Sequence, residues 1–234
     1  MRQIVLDTET TGLDHTTGDR IVEIGCIEIN DRRITDNHFH CYLNPDRPVA
    51  GGALEVHGIT DEFLKDKPRF EDIVDEFLAF INDAELVIHN APFDVGFLDA
   101  ELVRVDRSPA IQITDVARIL DTVVLARELH PGQRVSLDAL CKRYEVDNAS
   151  RQLHGALLDA QLLADVYLLM TGGQVDLGLS LDRQSSPDGE PDGLDGLDLS
   201  ALVSQRANAD ELQAHQQRLE SIRAAAGRCL WLED

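Results

Sequence analysis

Positive charge is scarce in this chain: 21 Lys and Arg stand against 43 Asp and Glu, a formal net charge of −22 over 234 residues. Proteins that grip nucleic acid unaided spread Lys and Arg over the phosphates, so this deficit excludes a stand-alone, high-affinity binder of duplex DNA. Cysteine is sparse too. Cys26, Cys41, Cys141 and Cys229 lie far apart with no C-x-x-C pair, which excludes a thiolate zinc site and a disulfide framework and leaves ordinary reduced thiols. No basic stretch followed by a long apolar run opens the chain, so neither a secretory signal nor a membrane span is expected, and the expected location is the cytoplasm. Phosphate-loop, G-x-G-x-x-G, G-x-S-x-G and H-E-x-x-H templates are all missing, which removes the chemistries they serve.

What is present divides unevenly. A hydrophobic content of 43% supports a real core. Residues 176–198 hold seven acids and one Arg, and residues 199–234 five acids and four Arg, which leaves −15 on the first 175 residues. That balance fits an enzyme that concentrates carboxylates around cations and borrows its hold on DNA from a partner. The expected domains are a folded unit over 1–173, an acidic flexible linker over 174–200, where Ser, Pro, Asp and Gly offer too little apolar surface to offset ordering, and a C-terminal segment over 201–234.

Alternation and turn residues predict three strands first, Arg2 to Leu6, Arg20 to Ile29 and Phe39 to Leu43, as an antiparallel meander. A Pro- and Gly-rich loop holding Pro45, Pro48, Gly51 and Gly52 follows. A helix over Phe70 to Ile81, a strand over Glu85 to Ile88 and a helix opened by Asn90-Ala91-Pro92 come next, with Asn90 as its cap. Helices are expected over Asp115 to Leu129, Ser136 to Tyr144 and Gly155 to Met170, the last ended by Gly172-Gly173. Residues Ala207 to Ala226 regain helix formers.

Chemistry concentrates in the acids. Asp7 and Glu9 share one face of the first strand, a spacing that suits either a surface strand end or a pair neutralised by a cation. Asp94 falls on the same helical stripe as Phe97 and Leu98, and Asp159 on the stripe of Leu162, Leu163 and Val166, so both acids project from faces that should be buried. Four carboxylates able to converge favour a metal site. His154 precedes Asp159 by five residues, about 140° away on an ideal helix, so it is expected in the loop before that helix, reaching the same site as general base. Hydrolysis of a phosphodiester needs an activated water and stabilised charge on two oxygens, which two hard cations about 4 Å apart supply. Oxygen ligands select Mg²⁺ or Mn²⁺, two per active site.

The stretches Arg2 to Gly12 (RQIVLDTETTG), Glu85 to Asp94 (ELVIHNAPFD), Ser136 to Tyr144 (SLDALCKRY) and Leu153 to Gln161 (LHGALLDAQ) resemble the DEDD exonucleases of the His-containing subgroup, and within it the epsilon proofreading subunits of bacterial DNA polymerase III. The likeness runs over about residues 1–175 and reappears at Cys229-Leu230-Trp231. It implies an α/β, RNase H-like fold, a mixed sheet (antiparallel meander plus parallel strands) flanked by helices with a flexible C-terminal extension. It also implies removal of mispaired nucleotides from the single-stranded 3′ end of DNA. Asp7, Glu9 and Asp159 are implied as direct metal ligands that also face substrate, Asp94 as a catalytic ligand acting through water, and His154 as the base. His57 matches a position that touches the terminal nucleotide, although its spacing equally suits a loop histidine capping the helix start at Thr60 to Leu64. Gly51-Gly52 stands where the family places an acidic substrate contact, which implies a pocket either wider or filled from elsewhere.

Partner segments are expected outside the core. Gln174-Val175-Asp176-Leu177-Gly178-Leu179 is similar to the Gln-led peptides that dock on the sliding clamp. Leu212, Leu219 and Ile222 form a thin apolar stripe that, with Trp231, suits docking on the catalytic alpha subunit of polymerase III, or folding back on its own domain. A small accessory subunit is a further possible partner. RNA trimming by the same fold and a catalytically silent replication scaffold are the rival readings.

Overall fold

A period of two in the opening residues sets the architecture. The computed structural model describes residues 1–105, 110–149, 151, 153–172, 207–227 and 231. Its strands are β1 (Arg2–Thr10), β2 (Ile21–Asn30), β3 (Arg33–Tyr42), β4 (Glu85–Ile88) and β5 (Arg118–Asp121), in one sheet of order β3-β2-β1-β4-β5. The first three form the antiparallel meander, and β4 and β5 extend it in parallel from the other side of β1. This is the mixed sheet of the RNase H-like exonuclease fold.

The helices are α1 (Gly51–His57), α2 (Asp61–Leu64), α3 (Phe70–Ile81), α4 (Ala91–Arg104), α5 (Ile113–Val116), α6 (Thr122–Leu129), α7 (Leu137–Tyr144), α8 (Ala156–Met170) and α9 (Ala209–Ala226). On β1, Ile4 and Leu6 enter a core layer with Phe77 of α3 and Phe97 of α4, whereas Val5 enters the opposite layer with Leu140 of α7 and Leu163 of α8. Each large apolar side chain buried this way contributes about 1.5–3 kcal/mol. The same alternation continues into polar residues at the end of β1, putting Asp7 and Glu9 on the α8 side and Thr8 on the α4 side.

Gly25 lets α8 come close. It pairs with Asp7 across β1 and β2, and a Cβ there would fall 2.3 Å from the backbone of Ala156 and Leu157. The first turn of α8 therefore rests on bare strand backbone, which holds Asp159 against the carboxylates of β1.

Several sequence expectations need correction. The helix expected over Asp115 to Leu129 is interrupted by β5: Ile119 packs in the first layer and Leu120 in the second, a two-fold alternation that edge pairing with β4 rewards over helix propensity. Asp121 then starts α6, its carboxylate accepting from Val123 N–H at 2.8 Å. The Pro- and Gly-rich loop contains α1, whose first two residues are Gly51 and Gly52. Asn90 precedes α4 in a left-handed conformation (φ 70°) and makes no side-chain cap. α8 ends at Thr171 in right-handed geometry, its hydroxyl donating to Tyr167 O at 2.6 Å, so the end does not need a left-handed glycine.

Two units divide the chain, Met1–Gly178 and Leu179–Asp234. In the second, α9 begins with a capping box in which Asn208 and Glu211 exchange hydrogen bonds. Leu219 is buried, while Leu212, Ile222 and Trp231 are exposed. Gln174 to Leu179 and the rest of the acidic linker over 174–200 lie outside the described residues.

Replacing Gly25 with Ala should lower stability by about 1–3 kcal/mol in urea denaturation, since the new methyl meets backbone that cannot turn aside. An unchanged unfolding midpoint would show that α8 does not rest on this strand as described.

Candidate active site

Four acids meet at the end of the central strand because three elements end or begin there. β1 carries Asp7 and Glu9 past the last apolar residue of its face. α4 starts directly after β4 and presents Asp94 in its first turn; α8 presents Asp159 in its own. Both helices thus aim positive N-terminal ends at the carboxylates, which partly offsets their repulsion. Glu9, Asp94 and Asp159 are buried, and Asp7 is half-buried. All four line one cleft of about 270 Å³ together with His154.

Ligand atoms of Glu9, His154 and Asp159 lie within 4.8 Å of one another. Asp94 is held from the other layer, its Oδ1 accepting from the Thr8 hydroxyl at 2.7 Å. His154 is exposed in the segment before α8, and its backbone N–H donates to Val56 O of α1 at 3.1 Å. Leu153 beside it packs on Gly58, whose φ of +71° and bare Cα accommodate that contact. The loop bearing His154 is therefore tied to the wall of the neighbouring pocket.

Electrostatics show how costly this gathering is. Burial pushes the Glu9 carboxyl from its ordinary 4.5 to about 8, with further repulsion from Asp159 and Glu23. Burial likewise raises Asp94 from 3.8 to about 7, although the Thr8 hydrogen bond opposes the rise. Asp7 is pushed well above the carboxylate range by burial and then by Asp94, Glu9 and Asp159. Among the described residues no hydrogen-bond donor meets the Glu9 carboxylate. Hard oxygen donors, a histidine nitrogen beside them and a crowd of carboxylates fit a hard divalent cation.

A second pocket of about 640 Å³, mostly apolar, shares Thr8, Glu9 and Phe93 with the acid cleft. His57 sits here, buried, with Nε2 at 3.2 Å from Thr10 O and Nδ1 accepting from Ile59 N–H at 2.9 Å. With both ring nitrogens engaged, burial lowers its pKa and leaves a neutral ring with only its carbon face for a ligand. Gly52 lines the same pocket with open space where a Cβ would stand.

Four contributors escaped the sequence reading. Gly25 carried a legible signal, because glycine inside a strand marks close backbone approach. Thr8 lay in view between the two acids. Arg151, which grips Asp159 through two hydrogen bonds of 2.6 Å, sits in a loop where no periodicity points to it. Glu23, buried opposite Glu9 in the β1–β2 register and bonded to His40 at 2.8 Å, adds a fifth acid behind the cluster.

Fold and cleft together define a class, an exonuclease built on the RNase H-like fold. The family model described as Exonuclease (RNase_T) matches residues 4–167. DNA polymerase III subunit epsilon of Salmonella typhimurium is 49% identical over 242 residues, covering 98% of this chain and 97% of that protein. Its Escherichia coli (strain K12) counterpart is 47% identical over 236 residues, with the same coverage. Among solved structures, Exonuclease X in complex with 5′-overhanging duplex DNA is 30% identical with a TM-score of 0.56, over 73% of this chain and 92% of that one. E. coli Exonuclease I with a dA16 oligonucleotide has a TM-score of 0.62 at 18% identity, over 74% of this chain and 41% of that one, and speaks for the fold alone. The chain belongs to this exonuclease family and, within it, to the epsilon subunits of DNA polymerase III, the 3′→5′ proofreading exonucleases.

Metal-free protein should lose stability as pH rises. Glu9 and Asp94 bind protons more tightly folded than unfolded, so the unfolded chain releases them first, near pH 4 to 4.5, and the native state is penalised until its own groups ionise near pH 7 to 8. Thermal melts in EDTA are expected to fall steadily from pH 5 to 8, by a few kcal/mol in total. A flat profile, or one rising over that window, would contradict the assigned crowding.

Proposed function

We propose that the acid cleft and the apolar pocket beside it bind successive parts of a DNA 3′ end, the scissile phosphate at Asp7, Glu9 and Asp159 and the terminal nucleoside over Phe93 and His57. The wall shared by the two cavities supports this most directly, because it joins a place for charge to a place for a base. Asp7, Glu9 and Asp159 would hold two Mg²⁺ or Mn²⁺ ions. Asp94, with Oδ1 engaged by Thr8, would add its remaining oxygen through water. When bound, such ions supply an activated water and stabilise charge on the leaving oxygen.

The chain's own residues do the rest. His154 stands at the open rim, where it takes the proton of the attacking water and passes it to solvent. Its backbone bond to Val56 couples that base to the pocket, so filling the pocket also settles the loop. Phe93 and the α1 wall exclude water from the terminal base. A frayed, mispaired end enters more readily than a paired one, because an unstacked nucleotide is free to leave the duplex and fill a pocket of this size. The absence of a side chain at Gly52 leaves that pocket broad.

DNA-binding strength comes from a partner, in keeping with the net charge of −22. We assign contact with the polymerase alpha subunit to residues 201–234, where Leu212, Ile222 and Trp231 are exposed. The linker over 174–200 would let residues 1–173 reach a 3′ end, with Gln174 to Leu179 as a clamp contact. No described helix is long and apolar enough to cross a membrane, and a replication role would place the protein in the cytoplasm.

Release of nucleotide from a 3′-labelled DNA primer tests the reading. Wild type should trim in Mg²⁺ or Mn²⁺, favour a mispaired end and stop in EDTA, while His154→Ala should lose about 10²–10⁴-fold. Trimming of short RNA but not DNA would move the assignment to RNA processing. Removing residues 200–234 should abolish polymerase binding and leave nuclease activity intact; polymerase binding at full strength would refute the docking role.

A further inference from the structure

Arg151 lies inside the acid cleft with a side chain only 7% exposed. Its Nε donates to Asp159 Oδ1 and its Nη2 to Asp159 Oδ2, both at 2.6 Å, so both oxygens of this carboxylate sit in the guanidinium fork. Nη1 reaches Asp138 Oδ1 at 2.5 Å, and Nη2 also lies 2.9 Å from His154 Nδ1. A guanidinium donates and cannot accept. The His154 Nδ1 lone pair is therefore taken, and a neutral ring keeps its proton on Nε2. In this arrangement the guanidinium stands against both oxygens of Asp159 and against Nδ1 of His154, which itself lies 3.2 Å from Asp159 Oδ2.

From this geometry we propose that Arg151 is a positioning residue that holds the place of a cation at Asp159, aligning Asp159 and His154 while the metal is absent and withdrawing when it enters. The inference rests on the metal reading above. A single positive charge shared by Asp159 and Asp138 offsets the repulsion of the cluster, and a divalent ion in reach of Asp159 both replaces that charge and repels the guanidinium. Asp138, in the first turn of α7 with a side chain 63% exposed, keeps hold of Nη1 at the cleft's outer side. Rotation about that contact frees Asp159 without leaving Arg151 unpaired. Withdrawal also releases Nδ1 of His154, so one movement opens the metal site and readies the base. The residue thus sets metal affinity by competition.

Calorimetric titration of the full chain with Mn²⁺, joined to thermal melts in EDTA and in saturating Mn²⁺, separates competition from mere support. In Arg151→Gln the metal-free melting temperature should fall while Mn²⁺ binds about tenfold tighter or more. Arg151→Lys, which keeps the charge but loses the fork, should fall between wild type and the Gln variant, and it carries the test if Arg151→Gln does not fold. A purely structural arginine would lower both melting temperatures and weaken Mn²⁺ binding. Equal or weaker Mn²⁺ affinity in the variants, with Asp7→Ala abolishing binding as expected, overturns the placeholder role and leaves the metal site standing. No binding by wild type overturns both.

Discussion

Repulsion among carboxylates gathered where water is thin is the constraint around which this molecule is organised. Asp7 and Glu9 cannot separate, because strand geometry fixes them two residues apart on one face of β1. Asp94 and Asp159 are brought to them by helices that start at the same edge. Three nearby features lessen the cost: the first turns of α4 and α8 supply partial positive charge, Thr8 donates to Asp94, and Arg151 neutralises Asp159. What those devices leave uncompensated shows in Glu9, whose carboxyl is pushed up to about 8. A site so poised gains most from a hard divalent cation, and phosphodiester hydrolysis gains most from a cation held in that way.

Much of this was legible in the residues. The apolar run Ile4-Val5-Leu6 marked the first strand, and the apolar stripes around Asp94 and Asp159 marked acids facing inward. Such patterns survive in sequence because they repeat at the period of the element that carries them. The interruption by β5 was not legible, since Arg118 to Asp121 becomes a strand only when β4 offers an edge. Gly25 and Arg151 depend on contacts between elements distant in sequence. His57 shows a different limit: its spacing allowed a nucleotide contact or a helix-capping role, and its ring nitrogens are in fact spent on the backbone of Ile59 and of Thr10 on β1 while its face lines a pocket.

Charge distribution links the site to its setting. An enzyme that repels its own substrate at long range gains from being carried to DNA, as proposed above, and the acids that weaken encounter include those of the proposed cation site. The loop bearing His154 and the α1 wall are joined through Val56, so the proposed base and the pocket share one support. On the proposed reading, specificity for an end follows from shape, and hydrolysis from charge.

The most direct test of the central claim is an electron paramagnetic resonance titration of the full chain with Mn²⁺. The account predicts two ions per chain whose signals broaden through mutual coupling, as expected for a pair about 4 Å apart, and loss of the coupled signal in Asp7→Ala. A single uncoupled ion, or binding that survives Asp7→Ala unchanged, would contradict the convergence of carboxylates on a shared pair of cations.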